Sequence, residues 1–243
     1  LPYLDDKKLL IKFYRNRFLR IVPLYFSILI FFFTCWFLFS SSQTLKAFKF
    51  YQNNWWNFFL FIQNWTFANT SAEVKTHLLH LWSVAVEEQI YLLFPILVLY
   101  IKNKKQIFYI ILALCFIILA ARTLFSISAI VDNQYNLIFW NTFFRLDAFL
   151  SGVAIYFIFY WFPVSSRYIK WSGFICILII VAKVIISNNA EKNNLFTASI
   201  GYTLVAIAYA SLLWLTLTQE NKFINFITSS NLLRFTGKIS YGM

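Results

Sequence analysis

The chain has 243 residues and a formal net charge of +12, yet 60% of it is hydrophobic, 22% aromatic and only 12% charged. A soluble domain of this size needs more polar residues to cover its surface, so the balance excludes one and indicates a polytopic helical membrane protein. Apolar runs that are continuous, not alternating, exclude a transmembrane β-barrel, and basic residues spread over short connections do not make the stripe of a nucleic-acid site.

Residues 1–20 are basic, with Lys7, Lys8, Lys12, Arg15, Arg17 and Arg20. No cleavable signal peptide is expected, because the chain opens on Asp5-Asp6-Lys7-Lys8 with no apolar core before them. The first predicted span, Ile21 to about Phe39, is long enough for one crossing at ~1.5 Å per residue. Pro23 falls in its first turn, where a missing N–H is harmless.

Residues 40–79 form a polar connection. Within it, Trp55 to Trp65 is too short and too tryptophan-rich to span, and predicts an interfacial or re-entrant helix. Asn64-Trp65-Thr66 and Asn69-Thr70-Ser71 match the glycosylation acceptor pattern, which is short enough to arise by chance.

Four further spans are predicted in order: Leu79–Ile101, Ile107 to about Ala121 with Arg122 at its end, Asn136–Phe162 containing Arg145 and Asp147, and Trp171–Ser187 with Lys183 near its end. A sixth runs from Leu195 to Thr218, followed by an amphipathic piece, Phe223–Met243. The expected fold is all-α: a transmembrane helical bundle of about six complete spans plus an interfacial helix, forming one domain over residues 1–243. Cys35, Cys115 and Cys176 lie inside apolar runs and read as core residues.

With the start of the chain placed in the cytoplasm, 14 of the 21 Lys and Arg residues fall on that side and 5 on the other, while Arg145 and Lys183 lie within spans. That asymmetry favours a cytoplasmic start.

One stretch breaks the apolar pattern. His80-Leu81-Trp82-Ser83 leads into Glu87-Glu88-Gln89-Ile90-Tyr91, so a predicted span carries two adjacent carboxylates. His80, Ser83, Glu87 and Tyr91 share one helical face. Ionisable groups at that depth mark function, or else a structural ion pair between helices. Counting from the same side puts Arg145 at a similar depth to Glu87, so the two are expected to approach, with Asp147 and Lys183 nearby. Arg15, Arg17 and Arg20 gather on the opposite, cytoplasmic side, where planar guanidinium groups suit an anionic cofactor or lipid headgroups. His77 reads as a solvated loop histidine. No metal-spaced cluster, Gly-rich phosphate loop or Ser elbow is present, so neither a metal nor a permanently bound cofactor is expected.

His80-Leu-Trp-Ser-Val-Ala-Val-Glu-Glu-Gln-Ile-Tyr-Leu-Leu-Phe-Pro95 resembles the signature of the acyltransferase-3 family of integral membrane acyltransferases. Arg17-Phe-Leu-Arg20-Ile-Val-Pro23-Leu-Tyr25, Asn57 to Trp65, Phe144-Arg-Leu-Asp-Ala-Phe-Leu-Ser-Gly152 and Thr236-Gly-Lys-Ile-Ser-Tyr241 are similar to further motifs of that family, in the family's order. Asn16 departs from the family's usual arginine.

The resemblance implies an O-acyltransferase of the bacterial plasma membrane. It would use acyl-CoA from the cytoplasm, with acetyl as the expected group, to acylate a hydroxyl of an extracytoplasmic carbohydrate such as a surface polysaccharide. Residue by residue, Arg17 and Arg20 would hold the coenzyme. Glu87, with Trp82 and Ser83, would shape the site where acyl group and sugar hydroxyl meet. Beside the resemblance, Glu87, Arg145 and His80 are the catalytic candidates of this chain and Asp147 a substrate contact, while the family role of His80 is structural. The family's catalytic histidine is expected in a span that precedes this chain, and its last spans after it, so a partial or inactive acyltransferase is one alternative. A transporter with a charged path through Glu87, Arg145, Asp147 and Lys183 is another.

Overall fold

The computed structural model describes residues 7–39, 45–70, 77–101, 103–132, 135–161, 165–187, 194–218, 226 and 228–240. Asp5, Asp6, Lys75, Lys102, Lys192, Lys222 and the start of the Phe223–Met243 piece lie outside these residues. Among the described residues there is no strand, and six helices are long and apolar enough to cross a membrane. The protein is an all-α, multi-pass membrane protein. It divides into two compact units, residues 1–102 and 103–241.

The first unit is built from α1 (Lys7–Phe39), α2 (Leu45–Phe59), α3 (Gln63–Ala68) and α4 (Trp82–Tyr100), with a 3₁₀ turn at Leu79–Leu81 leading into α4. Helix α1 starts fourteen residues before the predicted span, because lysine and arginine stems can lie along apolar surface while their heads reach polar ground. Pro23 is therefore inside the helix and not in its first turn. The carbonyl left without its helical N–H is that of Leu19, one turn earlier; beyond the proline, Ser27 Oγ back-bonds to the Pro23 carbonyl at 2.7 Å. Helices α2 and α3 are too short to span and are joined by a turn through Leu60–Ile62, which divides the segment Trp55 to Trp65.

The second unit holds α5 (Lys104–Asp132), α6 (Tyr135–Trp140), α7 (Leu146–Trp161), α8 (Ser166–Ser187), α9 (Tyr202–Thr218) and α10 (Asn231–Ser240). Helix α5 runs past Arg122, which is wholly buried inside it, not at its mouth. Removing Arg122 from the outer connections lowers that side of the charge count from 5 to 4.

The predicted fourth span is broken. Residues Asn141 and Thr142 separate α6 from a 3₁₀ turn at Phe143–Arg145, and the Asn141 side chain accepts the Phe143 N–H at 2.9 Å. The spanning part is Phe143–Trp161, so Arg145 stands near its beginning. Helix α9 is preceded by a π-helical turn at Thr197–Gly201. Helices α8 and α9 pack closely where Gly173 meets Ser211, the small-residue contact that brings membrane helices together. Ile155, Ile169, Ala210 and Trp214 form a core beside it, and Trp214 Nε1 donates to Ser166 Oγ at 2.9 Å. Cys115 and Cys35 are half-buried, Cys176 is buried, and all three are free thiols.

Candidate active site

In the first unit, the turn between α2 and α3 is held by a buried polar network. Phe61 adopts a positive φ of 55°, the left-handed region that side chains other than glycine avoid. Gln89 of α4 ties it down, its Nε2 donating to the Phe61 carbonyl at 2.6 Å and to Asn64 Oδ1 at 2.9 Å. Gln63 Nε2 donates to Tyr25 Oη at 2.9 Å and to the Leu81 carbonyl at 3.0 Å, and Tyr25 Oη donates to the Phe58 carbonyl at 2.9 Å. The Phe61 ring stacks on Tyr25 with centroids 4.5 Å apart. These bonds satisfy backbone groups at a non-helical reversal inside an apolar unit, which no water would otherwise serve.

This turn forms one wall of a cavity of about 720 Å³. Phe18, Val22 and Phe26 of α1 and Leu60 and Phe61 of the turn supply apolar surface, while Tyr14, Arg15, Arg17, Glu88, Gln89 and Tyr91 supply polar groups. The Arg17 guanidinium lies 4.0 Å from the centre of the Tyr91 ring, a cation–π contact one turn from Glu88. Tyr14 Oη donates to the Leu92 carbonyl at 2.8 Å, fixing α1 against α4 at this level.

Arg17 and Arg20 act electrostatically on Glu87, and Arg17 on Glu88. The sequence reading set these arginines and carboxylates on opposite faces of the membrane. The structure brings them to one level, because α1 extends down past Arg17 as a continuous helix. Glu87 is exposed and does not border the cavity; Glu88 does. At the head of α4, Ser83 Oγ donates to the His80 carbonyl at 3.3 Å, with His80 exposed and Trp82 half-buried.

In the second unit, Arg122 and Asp147 form a buried ion pair at 2.9 Å. Arg122 Nε donates to the Ser199 carbonyl at 2.8 Å and Nη1 to the Phe144 carbonyl at 2.9 Å. Thr203 Oγ1 donates to Asp147 Oδ2 at 2.8 Å and also meets Arg122 Nη2. Arg145 Nε donates to the Phe139 carbonyl at 3.0 Å, and its guanidinium lies 3.8 Å from the centre of the Tyr202 ring. Arg145, Asp147, Ser151 and Tyr202 border a second cavity of about 420 Å³. Lys183 is found beside the Phe196 ring at 5.8 Å.

Arg145 and Asp147 are thus brought together in one unit, and Arg17, Arg20, Glu87 and Glu88 in the other. Sequence reasoning missed Arg122, although the apolar run continuing beyond it through Leu124, Phe125 and Ile127 signalled a longer helix. It also passed over Gln89 and Gln63, whose partners become visible only once the turn is folded. The Asn64 sequon falls to the structure, since Asn64 is 0% exposed and no transferase reaches its amide in the folded chain.

A family model described as an acyltransferase domain matches residues 4–243. The chain belongs to this acyltransferase family. Among curated relatives, "O-acetyltransferase OatA" of Staphylococcus aureus strain NCTC 8325 / PS 47 is 28% identical over 171 residues, covering 68% of this chain and 27% of that protein. A second Staphylococcus aureus protein, of strain COL, also carries O-acetyltransferase in its name and is 27% identical over 211 residues, or 80% of this chain and 32% of its own. The chain therefore spans between 27% and 32% of the length of these two relatives. No solved structure matches it.

Proposed function

We propose that the protein is a membrane O-acyltransferase that moves an acetyl group from acyl-CoA to a hydroxyl of an extracytoplasmic carbohydrate. The observation that supports this reading is Arg17 and Glu88 bordering the first unit's cavity, with Arg17 and Arg20 within electrostatic reach of Glu87, in a chain of an acyltransferase family. The membrane assigned is the bacterial inner membrane, with the start of this chain cytoplasmic, and residues 1–243 belong to one acyltransferase domain.

A base takes the proton of the sugar hydroxyl. The oxygen attacks the thioester carbonyl, the carbon–sulfur bond breaks, and the departing thiolate takes up a proton. Arg17 and Arg20 hold the coenzyme's anionic groups, for which planar, permanently charged guanidinium forks are suited. Glu87 orients the base or the acceptor, and His80 is the base candidate within this chain. Trp82 and Ser83 shape the acceptor's approach. In the second unit, Arg145 steadies negative charge on bound substrate and Asp147 contacts the acceptor while holding Arg122.

The test is acetyl-ester release from surface polysaccharide in cells carrying the full-length protein. Glu87→Gln is expected to lower ester content to the level of a deletion strain, and unchanged content would remove Glu87 from the mechanism. Arg17→Ala with Arg20→Ala is expected to weaken acetyl-CoA binding at least tenfold, and unchanged binding would return both arginines to lipid headgroups.

A further inference from the structure

Two carboxylates stand side by side in α4, but they do different things. Glu87 is exposed, whereas Glu88 borders the cavity of the first unit. Its Oε1 is buried with no hydrogen-bond partner among the described residues. A buried acceptor left unsatisfied is disfavoured, and its natural complement is a donor brought by a ligand. Arg17 lies within electrostatic reach but its guanidinium sits 4.0 Å from the centre of the Tyr91 ring, so it biases the site towards anions without bonding to that oxygen.

The cavity walls select the kind of donor. Phe18, Val22, Phe26, Leu60 and Phe61 line the approach to Glu88 with hydrocarbon and aromatic surface. A sugar, with hydroxyls on every edge, would leave most of them unpaired there. A narrow chain of methylene groups punctuated by amides matches both the apolar walls and the unpartnered Glu88 oxygen. The polar end of the site then holds one charge-assisted N–H bond to a carboxylate.

We propose that Glu88, not Glu87, is the donor-selecting carboxylate: its Oε1 accepts an amide N–H from the pantetheine arm of the acyl donor lying in this cavity. The assignment rests on the acyl-CoA reading given above and adds a residue and a chemical requirement to it. Thioesters whose arm carries N–H groups are accepted, and acyl donors of similar apolarity without them are discriminated against.

The experiment is binding of acetyl-CoA to full-length protein in nanodiscs, repeated with an analogue whose two pantetheine amide nitrogens are methylated. Wild type is expected to bind the methylated analogue roughly tenfold to a hundredfold more weakly than acetyl-CoA, the range for one hydrogen bond to a charged group. Glu88→Leu is expected to bind acetyl-CoA more weakly by a similar factor and to lose the preference between the two ligands. Glu88→Gln, which keeps an acceptor oxygen in place, is expected to retain most of the preference, and Glu87→Gln all of it. Loss of preference in Glu88→Leu reports the contact even where overall affinity falls through poorer folding, because both ligands meet the same protein.

If Glu88→Leu still prefers acetyl-CoA as wild type does, or if wild type shows no preference, the assignment is overturned while the acyl-CoA reading stands. If wild type binds no acetyl-CoA, both fall together.

Discussion

Arg122 and Asp147 meet at 2.9 Å with side chains 0% and 3% exposed, and around them the backbone carbonyls of Phe144 and Ser199 take up the remaining guanidinium donors. One charge on α5 is thereby answered by α7 and by the start of α9. Asp147→Ala leaves the guanidinium without its counter-charge and is expected to destabilise the protein by roughly 3–5 kcal/mol. Arg122→Leu combined with Asp147→Leu is expected to recover much of that loss, since no buried charge remains. Thermal unfolding in detergent, read by fluorescence-detected size-exclusion, separates the two; equal losses in single and double variants would show that the pair does not act as a unit.

Gln89 and Phe61 give a second prediction. The amide of Gln89 holds a residue in a backbone conformation worth roughly 1–3 kcal/mol of strain. Gln89→Ala should lower the melting temperature, whereas Phe61→Gly in the same background should restore part of it, because glycine adopts φ near 55° freely. The rescue is incomplete because the ring stacked on Tyr25 is lost. No rescue at all would mean that Gln89 acts through Asn64 alone.

Gly173 lies so close to Ser211 that a methyl group on it would collide with the serine side chain. Gly173→Ala is expected to separate α8 from α9 and to destabilise by about 1–3 kcal/mol. Ser211→Gly should relieve the clash in the double variant, and the same melting assay reads it.

Tyr51 supplies a pH dependence. It is wholly buried outside the spans, its hydroxyl accepting the Leu78 N–H at 3.1 Å. Burial pushes its ionisation above the usual phenol range, against the smaller pull of the backbone N–H bonds. The neutral form is therefore favoured by folding. Its contribution is complete below the unfolded ionisation range near pH 10 and is lost as pH rises through the higher folded value. Melting temperature should fall more steeply as pH rises above about 10 in wild type than in Tyr51→Phe; parallel curves would remove Tyr51 from the response.

Hydropathy located the six candidate spans among the described residues, because in lipid a helix satisfies its own backbone and needs only apolar side chains. It misjudged ends wherever a charged or polar residue sat inside a helix for a tertiary reason. Arg15, Arg17 and Arg20 belong to α1, where long stems let a charged head leave an apolar helix, and Arg122 belongs to α5, where Asp147 answers it. The break at Asn141 was invisible for the opposite reason: a single asparagine side chain replacing helical bonds leaves almost no trace in a hydropathy profile.

The carboxylates of α4 stood out as charges in an apolar run. Which of them faces the cavity was hidden, since that depends on how the α2–α3 turn packs on the helix.

The π turn at Thr197–Gly201 also changes the rotational phase of everything after it. A helical turn that accommodates one extra residue advances the chain beyond it by about 100° relative to an uninterrupted α-helix. Tyr202 and Thr203, the first two residues of α9 beyond the turn, meet Arg145 and Asp147. A one-residue deletion within the turn would leave a longer and more regular helix, yet it would point both side chains away from the ion pair. The irregularity in the backbone is thus what keeps the second unit's charged centre in register.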